Sequence, residues 1–248
     1  MDQTVELTNI SDTIRAISNR DIVKIAIPVD IYLQEAENLA LWCIKDQMQL
    51  MNIGMSADIS ADLRLRAQTL RSAQTHWIEE KNTVSEIQQK WEITSKQACV
   101  LQDELLYSFR YAFRNKPKLL PLVKSGYKRK KHTVLIQDLY DLSILGMKYQ
   151  DLLIPIDFDL NKLNLAKTLS EQAADRFAKL NCLRMQGNES KLFRDKAYIY
   201  LKQLVDEVCC AGKYLFRNDP NRYQGYTSEF IRRKNNNRNH KKTDSDQL

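Results

Sequence analysis

The 248 residues suffice for one large domain or two small ones, and 43% hydrophobic with 28% charged residues is ordinary for a soluble globular protein. Only six Gly and five Pro argue against a turn-rich all-β fold. No stretch approaches the ~18 apolar residues of a membrane span, and Met1 to Ser11 lacks the basic-then-apolar pattern of a secretory signal, so a cytoplasmic location is expected.

The net charge of +7 is unevenly spread. Lys124, Lys128, Arg129, Lys130 and Lys131 form one basic cluster, and Arg232, Arg233, Lys234, Arg238, Lys241 and Lys242 form another against Asp244 and Asp246. The rest of the chain is close to neutral. Five cysteines (Cys43, Cys99, Cys182, Cys209 and Cys210) are odd in number and lack metal or redox spacing. They read as reduced thiols, Cys43 and Cys99 within apolar stripes.

The N-terminal segment 1–26 holds one weak capping pattern, Asn9-Ile10-Ser11-Asp12, ahead of a short helix to about Ile17. Ile27-Pro28-Val29-Asp30 opens a long helix with Leu33, Ala36, Ala40, Cys43, Ile44, Gln47 and Met51 on one face, and Gly54 stops it. Gln47 is a blemish in that stripe. Ser60 starts a second helix with Leu63, Ala67, Leu70, Ala73 and Trp77 inward and Arg64, Arg66 and Arg71 outward. Glu79 to Thr94 is polar, with Val84, Ile87 and Trp91 at helical spacing; a short helix and a continuation both fit. Thr94 or Ser95 then caps a third helix carrying Ala98, Leu101, Leu105, Phe109, Ala112 and Phe113.

A short helix is expected over 117–125, followed by a basic loop, 126–132. Thr133 caps a helix to about Gly146 with Leu135, Leu139, Leu142 and Leu145 inward. From Asp157 or Asp159 a long helix to about Arg184 carries Leu163, Ala166, Leu169, Ala173, Phe177 and Leu180. Gly187-Asn188-Glu189-Ser190 reads as a turn with a cap, and a last helix holds Ala197, Leu201, Leu204, Val205, Val208, Ala211 and Leu215. The tail, 219–248, is basic; Asn235 to Asn239 is low in complexity and expected to be disordered. Tyr223, Tyr226 and Phe230 are expected to strap the tail to the body.

Helical periodicity throughout, without sustained two-residue alternation, gives an all-α antiparallel bundle of about five long helices plus short connectors. The units expected are 27–125 and 133–218. Two echoes join them. Arg110-Tyr111-Ala112-Phe113-Arg114-Asn115-Lys116-Pro117 matches Lys213-Tyr214-Leu215-Phe216-Arg217-Asn218-Asp219-Pro220, and Ile27-Pro28-Val29-Asp30 matches Ile154-Pro155-Ile156-Asp157. A duplication and a stop signal used twice both explain the first echo; duplication aligned on Pro28 and Pro155 needs an insertion in the first unit. In each copy Tyr and Phe are expected to face inward and Arg to favour the negative end of the helix dipole.

Arg194-Asp195-Lys196-Ala197-Tyr198, Tyr200-Leu201, Val205-Asp206-Glu207-Val208, Tyr214, Tyr223 and Gly225-Tyr226 resemble the C-terminal signature of an uncharacterised all-helical bacterial protein family, with similarity continuing upstream through Ile136-Gln137-Asp138-Leu139. The resemblance implies the fold and no activity, cofactor or site residue.

Searches for chemistry end in negatives. The three histidines, His76, His132 and His240, lack the Glu-x-x-His pairing of a di-iron bundle. No nucleophile elbow and no phosphate-binding glycine loop is present. No catalytic, cofactor or metal residue is expected. Tyr107, Tyr111, Tyr198 and Tyr214 read as half-buried helix tyrosines. The expected function is that of a non-enzymatic interaction or scaffolding protein, with an unknown protein partner or self-association and no membrane. The alternative is nucleic-acid binding through Lys128, Arg129, Lys130, Lys131, Arg232, Arg233 and Lys234.

Overall fold

The structure is a computed structural model; it describes residues 10–123 and 131–245, with side chains to residue 237. Every regular element among these residues is helical. A helical segment at 10–16 precedes α1 (Val29–Lys45), α2 (Gln47–Asn52) and α3 (Ile59–Ala112). A 3-10 turn, Leu120–Val123, follows; then come α4 (His132–Lys148), α5 (Gln150–Leu153), a second 3-10 turn at Ile154–Ile156, and α6 (Asn161–Leu215). α7 (Pro220–Gly225) and α8 (Glu229–Ser245) end the chain. The all-α architecture read from periodicity is the one observed.

Its helices are longer than expected. α3 is 54 residues and runs uninterrupted through Glu79 to Thr94. Thr94 is no cap: its hydroxyl donates to the Lys90 carbonyl at 2.9 Å inside the helix. α6 is 55 residues and absorbs Gly187 to Ser190, where a turn was expected. A single interior glycine costs a helix only ~1 kcal/mol, and the buried stripes on both sides, Ala173 and Leu180 before it and Ala197 and Leu201 after, outweigh that. In contrast, the first helix breaks at Asp46. The buried stripe runs Leu39, Cys43, Asp46 and Leu50, so Gln47 lies outside it and Ile44 and Met51 beside it are about half exposed. Asn235 to Asn237 and Asn239, expected to be disordered, lie within α8. Ser228 accepts the Ile231 N–H at its start, and a Glu229–Arg233 pair spans its first turn.

Two contact units result. One comprises 1–79 with 188–248, the other 80–187. Each long helix gives one part to each unit. In the first unit Arg66 donates to the Tyr200 carbonyl (2.9 Å) and Arg194 to Gln74 Oε1 (3.0 Å). In the second, Arg184 donates to Gln88 (3.0 Å), Arg176 to Thr94, and Lys162 pairs with Glu104. Within each unit the partner number falls as the other rises, so α3 and α6 are antiparallel.

The first core gathers Leu33, Ala36, Leu63, Leu70, Leu201, Val208 and Tyr226 around α1, α3 and α6. The second unit buries Leu105, Phe109, Phe113, Leu139, Leu153 and Leu163, and separately Trp91, Ala173 and Leu180.

Element order recurs at a fixed offset. Val29 and His132 begin 17-residue helices, Ala112 and Leu215 end the long ones, and Pro117 and Pro220 follow, each pair 103 residues apart. The two positive-φ residues described, Gly54 (φ 90°) and Asp157 (φ 55°), share that offset. Each closes a Schellman turn: Gly54 N–H bonds Met51 O and Met55 N–H bonds Leu50 O, while Asp157 N–H bonds Ile154 O and Phe158 N–H bonds Leu153 O. Buried positions coincide too, as in Ala36/Leu139, Leu39/Leu142, Leu50/Leu153, Leu101/Leu204 and Phe113/Phe216. Pro28 and Pro155, by contrast, occupy unlike places, a helix N-cap and a 3-10 turn.

Candidate functional site

The repeated octapeptide builds the same helix end twice. Phe113 and Phe216 are buried, and their N–H groups bond the carbonyls of Phe109 and Gly212, both at 2.9 Å. Arg114 donates to the Tyr111 carbonyl (2.7 Å) and lies over the Tyr111 ring; Arg217 donates to the Tyr214 carbonyl (3.1 Å) and lies over the Tyr214 ring. The cation thus occupies the negative helix end, as the sequence suggested. The tyrosines do not face inward: Tyr111 and Tyr214 are 59% and 62% exposed, held outward under their arginines. Of the other expected half-buried tyrosines, Tyr198 is buried against Tyr32 at 4.6 Å, and Tyr107 is exposed.

The tail is strapped through polar anchors in the first unit. Asp46, almost completely buried, accepts the Tyr226 hydroxyl (2.8 Å) and pairs with Arg222. Glu35 accepts the Ser228 hydroxyl (3.2 Å) and the Phe230 N–H (2.9 Å). Gly212 and Gly225 make room for this: a Cβ on Gly212 would meet the Tyr226 ring at 2.0 Å, and one on Gly225 the Trp42 ring at 2.5 Å. Tyr226 is fully buried, Phe230 packs against the core, and Tyr223 stays partly exposed.

Titratable groups follow their surroundings. Burial pushes the Cys43 thiol up to about 12 and Cys209 up to about 11, so neither supplies a thiolate at neutral pH. Burial first, then Asp141, raises Asp138 above the usual carboxylate range, opposed by the Gln102 amide that donates to it at 3.2 Å. Asp138 and Gln102 line a small cavity of about 260 Å³ with Leu106 and Leu142. Its described lining holds a carboxylate pair and no nucleophile or cation. His132 rests against Trp91 and Phe177 at 5.1 and 5.3 Å. Among the described residues, no three His, Cys, Asp or Glu side chains are grouped to hold a metal, and no helix is long and apolar enough to cross a membrane.

Of the basic residues singled out from sequence, Lys128, Arg129 and Lys130 lie outside the described residues. Lys131 is exposed just before α4, and Arg232, Arg233 and Lys234 are exposed on α8. Two surfaces went unnoticed in the sequence. One is an apolar stripe on α1 and α2: Leu41, Ile44, Met48 and Met51 are 53%, 49%, 78% and 48% exposed. Its 3-4-3 spacing is visible in the sequence, but Ile44 and Met51 read there as members of the buried stripe. The other is a groove of about 780 Å³ in the second unit, between the end of α3 and the turn after α5. Its walls come from segments some 40 residues apart, so no local pattern announces it.

No known family profile, curated protein or solved structure matches the chain.

Proposed function

We propose that the protein is a non-enzymatic interaction or scaffolding protein whose contacts include its own copies. The observation that supports this is the stripe Leu41, Ile44, Met48, Met51. Contiguous exposed apolar side chains on a soluble chain mark a binding surface, and methionines adapt to a partner's shape. The 3-4-3 spacing is that of a coiled-coil seam. An antiparallel second copy sets Leu41 against Met51 and Ile44 against Met48, a branched side chain against a flexible one each time. The flanking positions Asn38, Gln47 and Asn52 are uncharged, and the one flanking lysine, Lys45, leans over Trp42. One four-residue stripe falls below the roughly 800 Å² per partner of a standard stable interface, which makes the association weak and reversible. Sedimentation equilibrium is expected to show micromolar self-association that Ile44→Glu with Met48→Glu removes at unchanged melting temperature. A wild-type chain monomeric to hundreds of micromolar excludes the second copy as partner.

The 103-residue recurrence supports a further element of this reading: the two sequence halves are repeats of one helical unit, aligned without the insertion that the Pro28–Pro155 pairing required.

A second reading, nucleic-acid binding, is favoured by α8, a helix of high polarity with Arg232, Arg233 and Lys234 exposed. Together with Lys128, Arg129, Lys130 and Lys131 these cations suit phosphates. Binding to a duplex oligonucleotide is then expected to weaken steeply with salt and to fall when Arg232, Arg233 and Lys234 are made Ala; salt-insensitive or absent binding ends this reading.

A further inference from the structure

The groove at the end of α3 is lined by Tyr107, Tyr111, Arg114, Lys116, Pro155 and Ile156, with Leu152 and Ala112 in its floor. Two of its described lining residues are cations and none is an acid. Tyr107 is 66% exposed at one rim. Arg110 and Lys118, both exposed, bracket the segment that carries Arg114 and Lys116, while exposed Asp151 and Asp157 bracket the apolar wall, so the acid-binding side is the one at the end of α3.

The 103-residue recurrence provides an internal control. In the first unit the equivalent positions end a helix in the same way, so Tyr214, Arg217 and Asn218 repeat Tyr111, Arg114 and Asn115. Those shared residues are explained by helix termination alone. Of the other groove residues Ile156 is matched by Ile53, and the rest differ. Cys210 stands where Tyr107 is, Asp219 where Lys116 is, Gln49 where Leu152 is, and Asn52 where Pro155 is. Asp219 has a structural task there, capping α7 through the N–H groups of Asn221 and Arg222 at 3.1 and 3.2 Å. One helix end thus carries a second exposed tyrosine, a lysine without a capping task and a more apolar wall than the other.

We propose that this groove binds an acidic peptide segment of a partner protein, seating an aromatic or aliphatic side chain on Leu152, Pro155 and Ile156 and its carboxylates against Lys116 and Arg114. Tyrosine and arginine around an apolar floor is the composition of interface hot spots. The helix end itself does not repel the acid, because Arg114 already closes the Tyr111 carbonyl. An apolar floor suits a side-chain anchor better than a sugar-phosphate strand. One face of Tyr111 is also taken by Arg114 at 4.2 Å, which leaves less room for base stacking. This proposal is independent of the apolar stripe and shares with the preceding section only the premise that the protein works by binding.

The test uses the 248-residue chain and fluorescence anisotropy with four labelled probes. These are a twelve-residue peptide of Asp and Glu around a central Phe, the same peptide with Phe replaced by Ser, its Lys counterpart, and an oligothymidylate of equal length. The acidic Phe peptide is expected to bind in the micromolar range and to weaken severalfold from low to physiological salt. The Ser and Lys versions are expected to bind about tenfold worse or not at all. Tyr107→Cys with Lys116→Asp, which gives the groove the chemistry of the other helix end, is expected to weaken the Phe peptide by about tenfold at an unchanged melting temperature. Lys213→Ala at the other helix end should leave binding as it is. Absent binding at low salt, equal binding by the double variant, or displacement of the peptide by a tighter-binding oligothymidylate overturns the proposal.

Discussion

Asp138 shows how much a single carboxyl can depend on its neighbours. It sits in a cavity with Asp141 close by and one amide donor, Gln102, and its pKa is raised. The folded chain therefore holds this proton more tightly than the unfolded chain does. Its favourable contribution is complete below the unfolded pKa and is lost as pH rises through the folded one. Asp138→Asn keeps the acceptor for Gln102 and removes the charge. Thermal melts are expected to place this variant above wild type at pH 7 and level with it near pH ~3, below the ordinary carboxylate pKa; a variant less stable at both pH values contradicts the sign. Asp46 is a buried carboxyl with two polar partners, Tyr226 and Arg222. Neither environment is foreseeable from local sequence, because Gln102 and Asp138 are 36 positions apart and Asp46 and Tyr226 are 180 apart.

At the scale of the element, helix existence was readable and helix endings only in part. The octapeptide ends were foreseen because they carry their own stop chemistry: an arginine for the last carbonyls, an asparagine, and a proline beyond. Gly187 was misjudged because Gly-Asn-Glu-Ser looks like a turn in isolation. Its place in the middle of α6 leads to a definite expectation. A Cβ there would meet nothing nearer than Val84 Cγ2 at 3.8 Å, so Gly187→Ala is expected to stabilise by about 0.5–1 kcal/mol. Chemical denaturation measures this directly, and a destabilised variant would mean that the backbone at Gly187 departs from helix. The groove and the apolar stripe also belong to this scale. Each arises where one element ends or bends against another, which is why neither stood out in the sequence while the basic residues did.

For the molecule as a whole, the tail divides into a part that completes a core and a part that does not. Tyr226 is fully buried and Glu35 holds Ser228 and Phe230, whereas residues 231–237 are all exposed. A chain ending at Arg217 is expected to lose at least the ~3–5 kcal/mol typical of removing a large buried aromatic, while one ending at Ile231 should melt with the 248-residue chain. Equal melting of both truncations would show that the strap is not part of the core. The sequence by itself determined the all-α class, the helical stripes and the twin helix ends, because helical period and capping chemistry act over a few residues. Only the tertiary structure decided that the stretches around Glu79 and Gly187 remain helix, that each long helix serves both cores, and which exposed side chains gather into a groove. Those outcomes depend on packing against residues from about 40 to more than 100 positions away, where the free energy of burial overrides weak local preferences.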